Sequence, residues 1–93
     1  MIRTFKCKET KQVFEGVYSR KFPRDIQERA LRKLRMIDAS KVLSDLKNPP
    51  SNNLEILKGN RKGTYSIRIN DQWRICFKWK DKEVYEVEIC DYH

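Results

Sequence analysis

Tyr65-Ser66-Ile67-Arg68-Ile69-Asn70-Asp71-Gln72-Trp73-Arg74-Ile75-Cys76-Phe77-Lys78-Trp79 decides the fold of this chain. Tyr65, Ile67 and Ile69 alternate with polar neighbours, and after a short break Trp73, Ile75, Phe77 and Trp79 alternate with Arg74, Cys76 and Lys78. A period of two with one apolar face marks a half-buried strand. A third run follows, in which Tyr85, Val87 and Ile89 are expected on the apolar face and Val84, Glu86 and Glu88 on the other. The connections at Asn70-Asp71 and Lys80-Asp81-Lys82 are too short for a crossover, so the three strands form an antiparallel meander.

Register follows from parity. The apolar residues of the first two runs carry odd numbers, so facing partners must sum to an even number. The nearest consistent pairing sets Ile69 opposite Trp73 and Arg68 opposite Arg74. Like charges directly across a strand pair cost some tenths of a kcal/mol to about one. Two resolutions are open. A three-residue connection at Lys80 to Lys82 would bring Glu88 beside Arg74 and neutralise it, or the two guanidinium groups form an anion site with a bidentate grip.

Upstream of the meander the period is helical. Ile26, Ala30, Leu31, Leu34 and Ile37 recur at steps of three to four, predicting a helix over 24–38 whose apolar stripe meets the sheet. Its other side is basic, with Arg24, Arg29, Arg32, Lys33 and Arg35 against Asp25 and Glu28. That side is either a solvated face or a nucleic-acid contact. A short helix is expected over 9–14, stopped at Gly16, and another capped by Ser40 and running to Leu46, before Pro49-Pro50. Ile2 to Lys6 reads as a short first strand. The fold class is therefore α+β, one domain over 1–93, with a short N-terminal strand and two to three helices on one face of a mainly antiparallel sheet.

Composition narrows the function. The 93 residues carry 21 Lys plus Arg against 13 Asp plus Glu, a formal charge of +8. Such a surplus suits an anionic partner, or solubility alone. With 39% hydrophobic residues and a mean hydropathy of −0.83, no run reaches the eighteen or so residues of a membrane span. Met1-Ile2-Arg3-Thr4-Phe5-Lys6 turns charged before a signal-peptide core forms, so a cytoplasmic protein is expected. Cys7, Cys76 and Cys90 form no C-x-x-C and are joined by a single histidine, His93, so neither a disulfide framework nor a metal site is expected.

Two further segments bear on chemistry. Lys58-Gly59-Asn60-Arg61-Lys62-Gly63 packs cations between glycines, but Thr64-Tyr65 follows Gly63, so the spacing is not that of a Walker A loop. It is a tight basic hairpin or an anion cradle. Asp91-Tyr92-His93 runs straight out of a core strand with no polar tail and is expected to lie against the sheet, with Cys90 and Tyr92 on the face of Arg74.

Taken together, Leu57-Lys58-Gly59-Asn60-Arg61, the run from Tyr65 to Phe77 with its N-x-x-W-R, and the closing Asp91-Tyr92-His93 resemble the HigB toxins of bacterial toxin-antitoxin systems, within the RelE superfamily. The resemblance covers essentially the whole chain and implies a RelE-like fold. It also implies an endoribonuclease that cuts messenger RNA during translation on the ribosome. The implied partner is a HigA antitoxin with a helix-turn-helix, operator DNA being met only through the antitoxin complex. By position, the resemblance implies an active site of Lys58, Arg74, Asp91, Tyr92 and His93, with Arg68 nearby. Some relatives carry a histidine three residues before the lysine, where this chain has Glu55; either Glu55 takes over a proton transfer or His93 and Asp91 suffice.

The chemistry agrees with those residue types. Metal-free RNA cleavage needs a base for the 2′-OH proton, cations for the charge developing on phosphate, and an acid for the 5′-oxygen. His93 has the only unperturbed pKa near neutrality. Arg74 and Lys58 are the cationic clamp, Tyr92 a platform for a base, and Asp91 or Glu55 the second proton-transfer group or an orienting one. Arg68, Arg61, Lys62, Arg24, Arg32 and Arg35 are the expected contacts to messenger and ribosomal RNA, and no cofactor is required. A non-catalytic RNA-binding or ribosome-associated module is the rival reading. A DNA-binding repressor is disfavoured because no helix pair with a short glycine turn is visible.

Overall fold

The computed structural model describes residues 1–57, 59 and 63–91. The expected Lys58, Arg61, Lys62, Tyr92 and His93 therefore lie outside the described residues. In chain order the elements are α1 (Lys8–Phe14), α2 (Arg24–Ala39), two 3-10 turns (Leu43–Lys47 and Pro50–Asn52), β1 (Glu55–Ile56), β2 (Thr64–Arg68), β3 (Trp73–Lys80) and β4 (Glu83–Asp91). These four strands pair antiparallel in the order β1-β2-β3-β4.

The helical stripe buries as its spacing requires. Ile26, Ala30, Leu34 and Ile37 of α2 pack with Val13 of α1 and Phe22 against Ile67, Ile69, Ile75, Phe77, Val84, Val87 and Ile89 of the sheet. Phe22 meets Trp73 edge to face at 5.8 Å. The entry to α2 is fixed from inside the helix. Buried Gln27 accepts from the backbone N–H of Ser19 at 3.0 Å and donates to the carbonyls of Ser19 and Phe22 at 2.6 and 2.9 Å. These bonds satisfy loop groups that burial would otherwise leave unpaired. α1 ends where Gly16 takes φ 82, a left-handed position that glycine adopts without a Cβ clash.

Ser40 does not cap the following helix, as expected from sequence; it closes α2, its hydroxyl donating to the Met36 carbonyl at 2.8 Å. The next helical piece is a 3-10 turn at Leu43–Lys47, held by the Asp45 carboxylate, which accepts from the backbone N–H groups of Lys41 and Val42 at 2.9 and 3.2 Å.

In the meander, Ile67 faces Ile75 and Arg68 faces Arg74, so the parity rule sets the β2–β3 register. The β3–β4 register departs from expectation. The turn has two residues, Asp81 and Lys82, at φ 52 and 66, the mirror-image geometry favoured in hairpins, and pairing starts at Lys80 opposite Glu83. That start would place odd residues of β3 opposite even residues of β4. A β-bulge between Cys76 and Lys78, with Glu86 at φ 52, repairs the parity. Glu88 consequently lies opposite Cys76, and Cys90, not Glu88, lies opposite Arg74. The same bulge changes the apolar face: Val84 is buried at the core and Tyr85 turns to the other side, opposite Lys78.

The N-terminal segment runs parallel to β4 through bridges at Ile2–Val84 and Phe5–Val87. Between them the bulge interrupts a continuous strand, and the displaced Glu86 N–H donates to the Thr4 hydroxyl at 2.8 Å.

Candidate active site

Helices cover the odd-numbered face of the meander, which leaves the face of Ser66, Arg68, Arg74, Cys76 and Cys90 for chemistry. Its centre is Arg74, only 5% exposed. Its Nε donates to the Ser66 hydroxyl at 2.9 Å, and its Nη2 donates to the Ser66 carbonyl at 3.2 Å and the Asn53 carbonyl at 2.5 Å. Its Nη1 lies 3.7 Å from Glu55 Oε1. The three partners converge because β1 pairs Glu55 with Ser66 and Asn53 turns the chain into β1 at φ 44. Arg74 is thus neutralised from β1, not from Glu88 of β4 as one sequence reading supposed. A planar guanidinium suits this role because it reaches several fixed acceptors at once.

Arg68 and Arg74 share a register position but not a destination. Arg68 pairs with Asp71 at the hairpin tip. Behind it stands the flank of α2 formed by Arg29 and Lys33, one turn apart. Arg29 Nη1 donates to the Ile69 carbonyl at 3.2 Å, and Lys33 donates to Asn52. Burial first, then the charges of Arg29, Arg32 and Arg68, hold the Lys33 ammonium below the ordinary lysine range. The helix's cations therefore divide: Arg29 and Lys33 adjoin Arg68, while Arg24 and Arg35, three turns apart, lie on the opposite flank. Arg24 stacks over the Tyr18 ring at 5.3 Å and Arg32 pairs with Glu28 at 3.0 Å.

Asp91 pairs with Trp73, so it leaves β4 on the side away from Arg74, and its carboxylate accepts from Gln72 Nε2 at 3.2 Å. Glu55, 44% exposed in its side chain, is a carboxylate that the described residues bring within ion-pair distance of Arg74. Sequence reasoning missed Asn53 and Ser66. Ser66 had a signal, its even number in β2, whereas the Asn53 carbonyl had none. It also missed that Cys76 and Cys90 touch, Sγ to Sγ at 3.0 Å. Hydrogen bonding to Cys76 and burial push the Cys90 thiol up, so it stays protonated at neutral pH and is no nucleophile. Among the described residues no group of His, Cys, Asp and Glu could hold a metal, and no helix is long and apolar enough to cross a membrane.

Residues 3–93 match the family described as the RelE-like toxin of type II toxin-antitoxin system HigB. The chain belongs to the HigB-like toxins. It is 43% identical over 82 residues to Toxin HigB-1 of Vibrio cholerae serotype O1, covering 87% of this chain and 86% of that protein. It is 33% identical to Endoribonuclease HigB of Proteus vulgaris over the whole of both chains. The fold of this HigB-like toxin is also that of the toxin in the YoeB-YefM complex from Staphylococcus aureus, with a TM-score of 0.63 at 20% identity, covering 100% of this chain and 98% of that one. YafQ from E. coli superposes with a TM-score of 0.53 at 17% identity over 94% and 89% of the two chains. These neighbours share the α+β architecture read from the sequence, and the matched family is itself described as RelE-like.

Proposed function

We propose that this HigB-like toxin, an endoribonuclease by its family, cuts messenger RNA as it is translated on the ribosome, without a metal, by attack of the 2′-OH on the scissile phosphate. The observation that carries this reading is Arg74, buried at the centre of the sheet face away from the helices, hydrogen-bonded to Ser66 and Asn53 and ion-paired with Glu55. Arg74 is a positioning residue that holds Glu55 at the face where RNA would lie. Glu55 takes the 2′-OH proton and His93 protonates the 5′-oxygen. Lys58 stabilises the phosphate charge and Tyr92 stacks on a neighbouring base. Asp91, turned toward Gln72, orients the terminal residues instead of transferring the proton.

The ribosome holds the RNA in a reactive geometry, a contribution that orientation alone can make worth several kcal/mol. Arg68, Arg61 and Lys62, with Arg24, Arg32 and Arg35 on α2, meet messenger and ribosomal RNA through their charge. Activity is held in check by a HigA-like helix-turn-helix antitoxin, and operator DNA is contacted only through that complex. The whole cycle runs in the cytoplasm.

Induced expression with cleavage mapping on translated messages tests the reading. The parent should arrest growth and leave new RNA ends, while deletion of His93 or Glu55→Gln should lower cleavage by about 10²-fold or more, with the melting temperature of Glu55→Gln falling by no more than about 8 °C. Purified toxin should cut naked RNA far more slowly than ribosome-bound message. Full arrest by both variants would replace cleavage by binding, the non-catalytic ribosome-associated module.

A further inference from the structure

Tyr85 stands on a face the alternation of β4 does not assign to it. Its pattern with Val87 and Ile89 predicts burial, yet the bulge at Glu86 turns it out, directly opposite Lys78 and on the same side of the sheet as Arg74. A non-glycine residue at φ 52 is uncommon, and bulges beside functional sites often re-aim a side chain. The re-aimed ring lines an open cavity of about 520 Å³ with Thr4, Lys78, Lys80, Asp81 and Glu86.

From this geometry we infer that Tyr85 forms a second nucleotide subsite, stacking on a base of the single-stranded message at a distance from the scissile phosphate, with Lys78 and Lys80 beside the adjoining phosphate. The inference rests on the proposal that RNA lies along the Arg74 face. The positions of Arg74 and Lys78 differ by four residues along β3, about 13 Å of strand, a span on the order of two nucleotides of extended RNA. Lys78 is held in the free protein by Glu86 at 2.7 Å. Both side chains are about half exposed, so this pair is weak and RNA phosphate can take the place of the carboxylate. The freed Glu86 carboxylate then faces the base, where it can accept from an exocyclic amino group. An aromatic ring flanked by lysines in an open groove is the arrangement by which single strands are held with little sequence preference.

Single-turnover cleavage of message on programmed ribosomes, with toxin in excess over a range of concentrations, tests this. Tyr85→Leu keeps apolar bulk and removes the stacking face. It should raise the half-saturating toxin concentration roughly 5- to 100-fold and leave the maximal rate within about twofold. Tyr85→Trp should behave like the parent. Photo-crosslinking of message carrying 4-thiouridine should join Tyr85 to a nucleotide about two positions from the cut. Unchanged half-saturation in Tyr85→Leu, or Tyr85→Trp as impaired as Tyr85→Leu, overturns the subsite. If the subsite fails while deletion of His93 still abolishes cleavage, the active-site proposal stands; if deletion of His93 leaves cleavage intact, both fall.

Discussion

Arg74→Ala tests the energetics of the site because one side chain there has two duties. The guanidinium is 5% exposed and bonds Ser66 and Asn53 at 2.5 to 3.2 Å, with Glu55 at 3.7 Å. Truncation removes the donor from the Ser66 hydroxyl and two carbonyls and takes one positive charge from beside Glu55. Leaving buried acceptors without their donor costs about 1–3 kcal/mol, toward the upper end for bonds to a charged group. The half-exposed Glu55 contributes no more than about 1 kcal/mol of coupling, since water screens it. A loss of about 3 kcal/mol is therefore expected, a large part of the roughly 5–15 kcal/mol that holds a domain together. With a urea slope on the order of 1.5 kcal/mol/M, the unfolding midpoint should fall by about 2 M. Arg74→Lys should lie between, because one ammonium cannot span Ser66, Asn53 and Glu55 together. Equilibrium urea unfolding followed by tryptophan fluorescence makes the measurement. An Arg74→Ala midpoint within about 0.3 M of the parent would show that the guanidinium is not structural and would refute the reasoning. Any relief of growth arrest by Arg74→Ala would thus carry a folding component, and the role proposed for His93 is tested apart from it by deletion of that residue.

Lys33 has a depressed pKa in the folded state, so the folded protein binds fewer protons than the unfolded chain as pH rises toward the ordinary lysine value, and stability should increase there. Lys33→Gln should flatten both that rise and the stabilisation by added salt, measured by melting temperature against pH and sodium chloride; an unchanged slope counts against the cation cluster. Lys82→Gly, at φ 66 in the two-residue turn, should stabilise by about 1 kcal/mol in the same melts, and destabilisation would contradict the turn geometry. Gly16→Ala should cost about 1 kcal/mol through φ 82 alone, since nothing lies near the added Cβ, and Gly16→Asn should cost less. Cys90 should react with iodoacetamide at pH 7.5 more than tenfold slower in the native protein than in urea, as mass spectrometry of the digested chain will show; equal rates would mean its thiol is not held protonated.

The meander and the pairing of Arg68 with Arg74 were legible because side-chain parity admits few registers once one face is apolar. The helical stripe of α2 was legible for the same reason, at a different period. Other features depend on events that leave no periodic trace. A single bulge residue moved Tyr85 to the opposite face and shifted Glu88 from Arg74 to Cys76. The two-residue strand Glu55–Ile56 is too short to alternate. Bridges from Ile2 and Phe5 to β4 unite segments about eighty residues apart, which no local pattern records. In the site, Arg74 and Glu55 emerged from parity and resemblance, whereas their convergence required the Asn53 turn and a main-chain oxygen that carries no sequence signature.

The N-terminal bridges set an order of events during synthesis. Arg3 and Lys6 donate their backbone N–H groups to the carbonyls of Val84 and Val87 at 2.7 and 2.9 Å, and Val84 and Val87 donate in return to Met1 and Thr4 at 3.1 Å each. These partners do not exist until β4 has been made and has cleared the exit tunnel, and closing so long a loop is a late and slow contact. On a translating ribosome the nascent toxin therefore carries an open edge along its unfinished sheet, and the Tyr85 face and the Cys90 flank of Arg74 are still missing. The edge of the sheet beyond β4 is therefore closed last, by the residues that were made first.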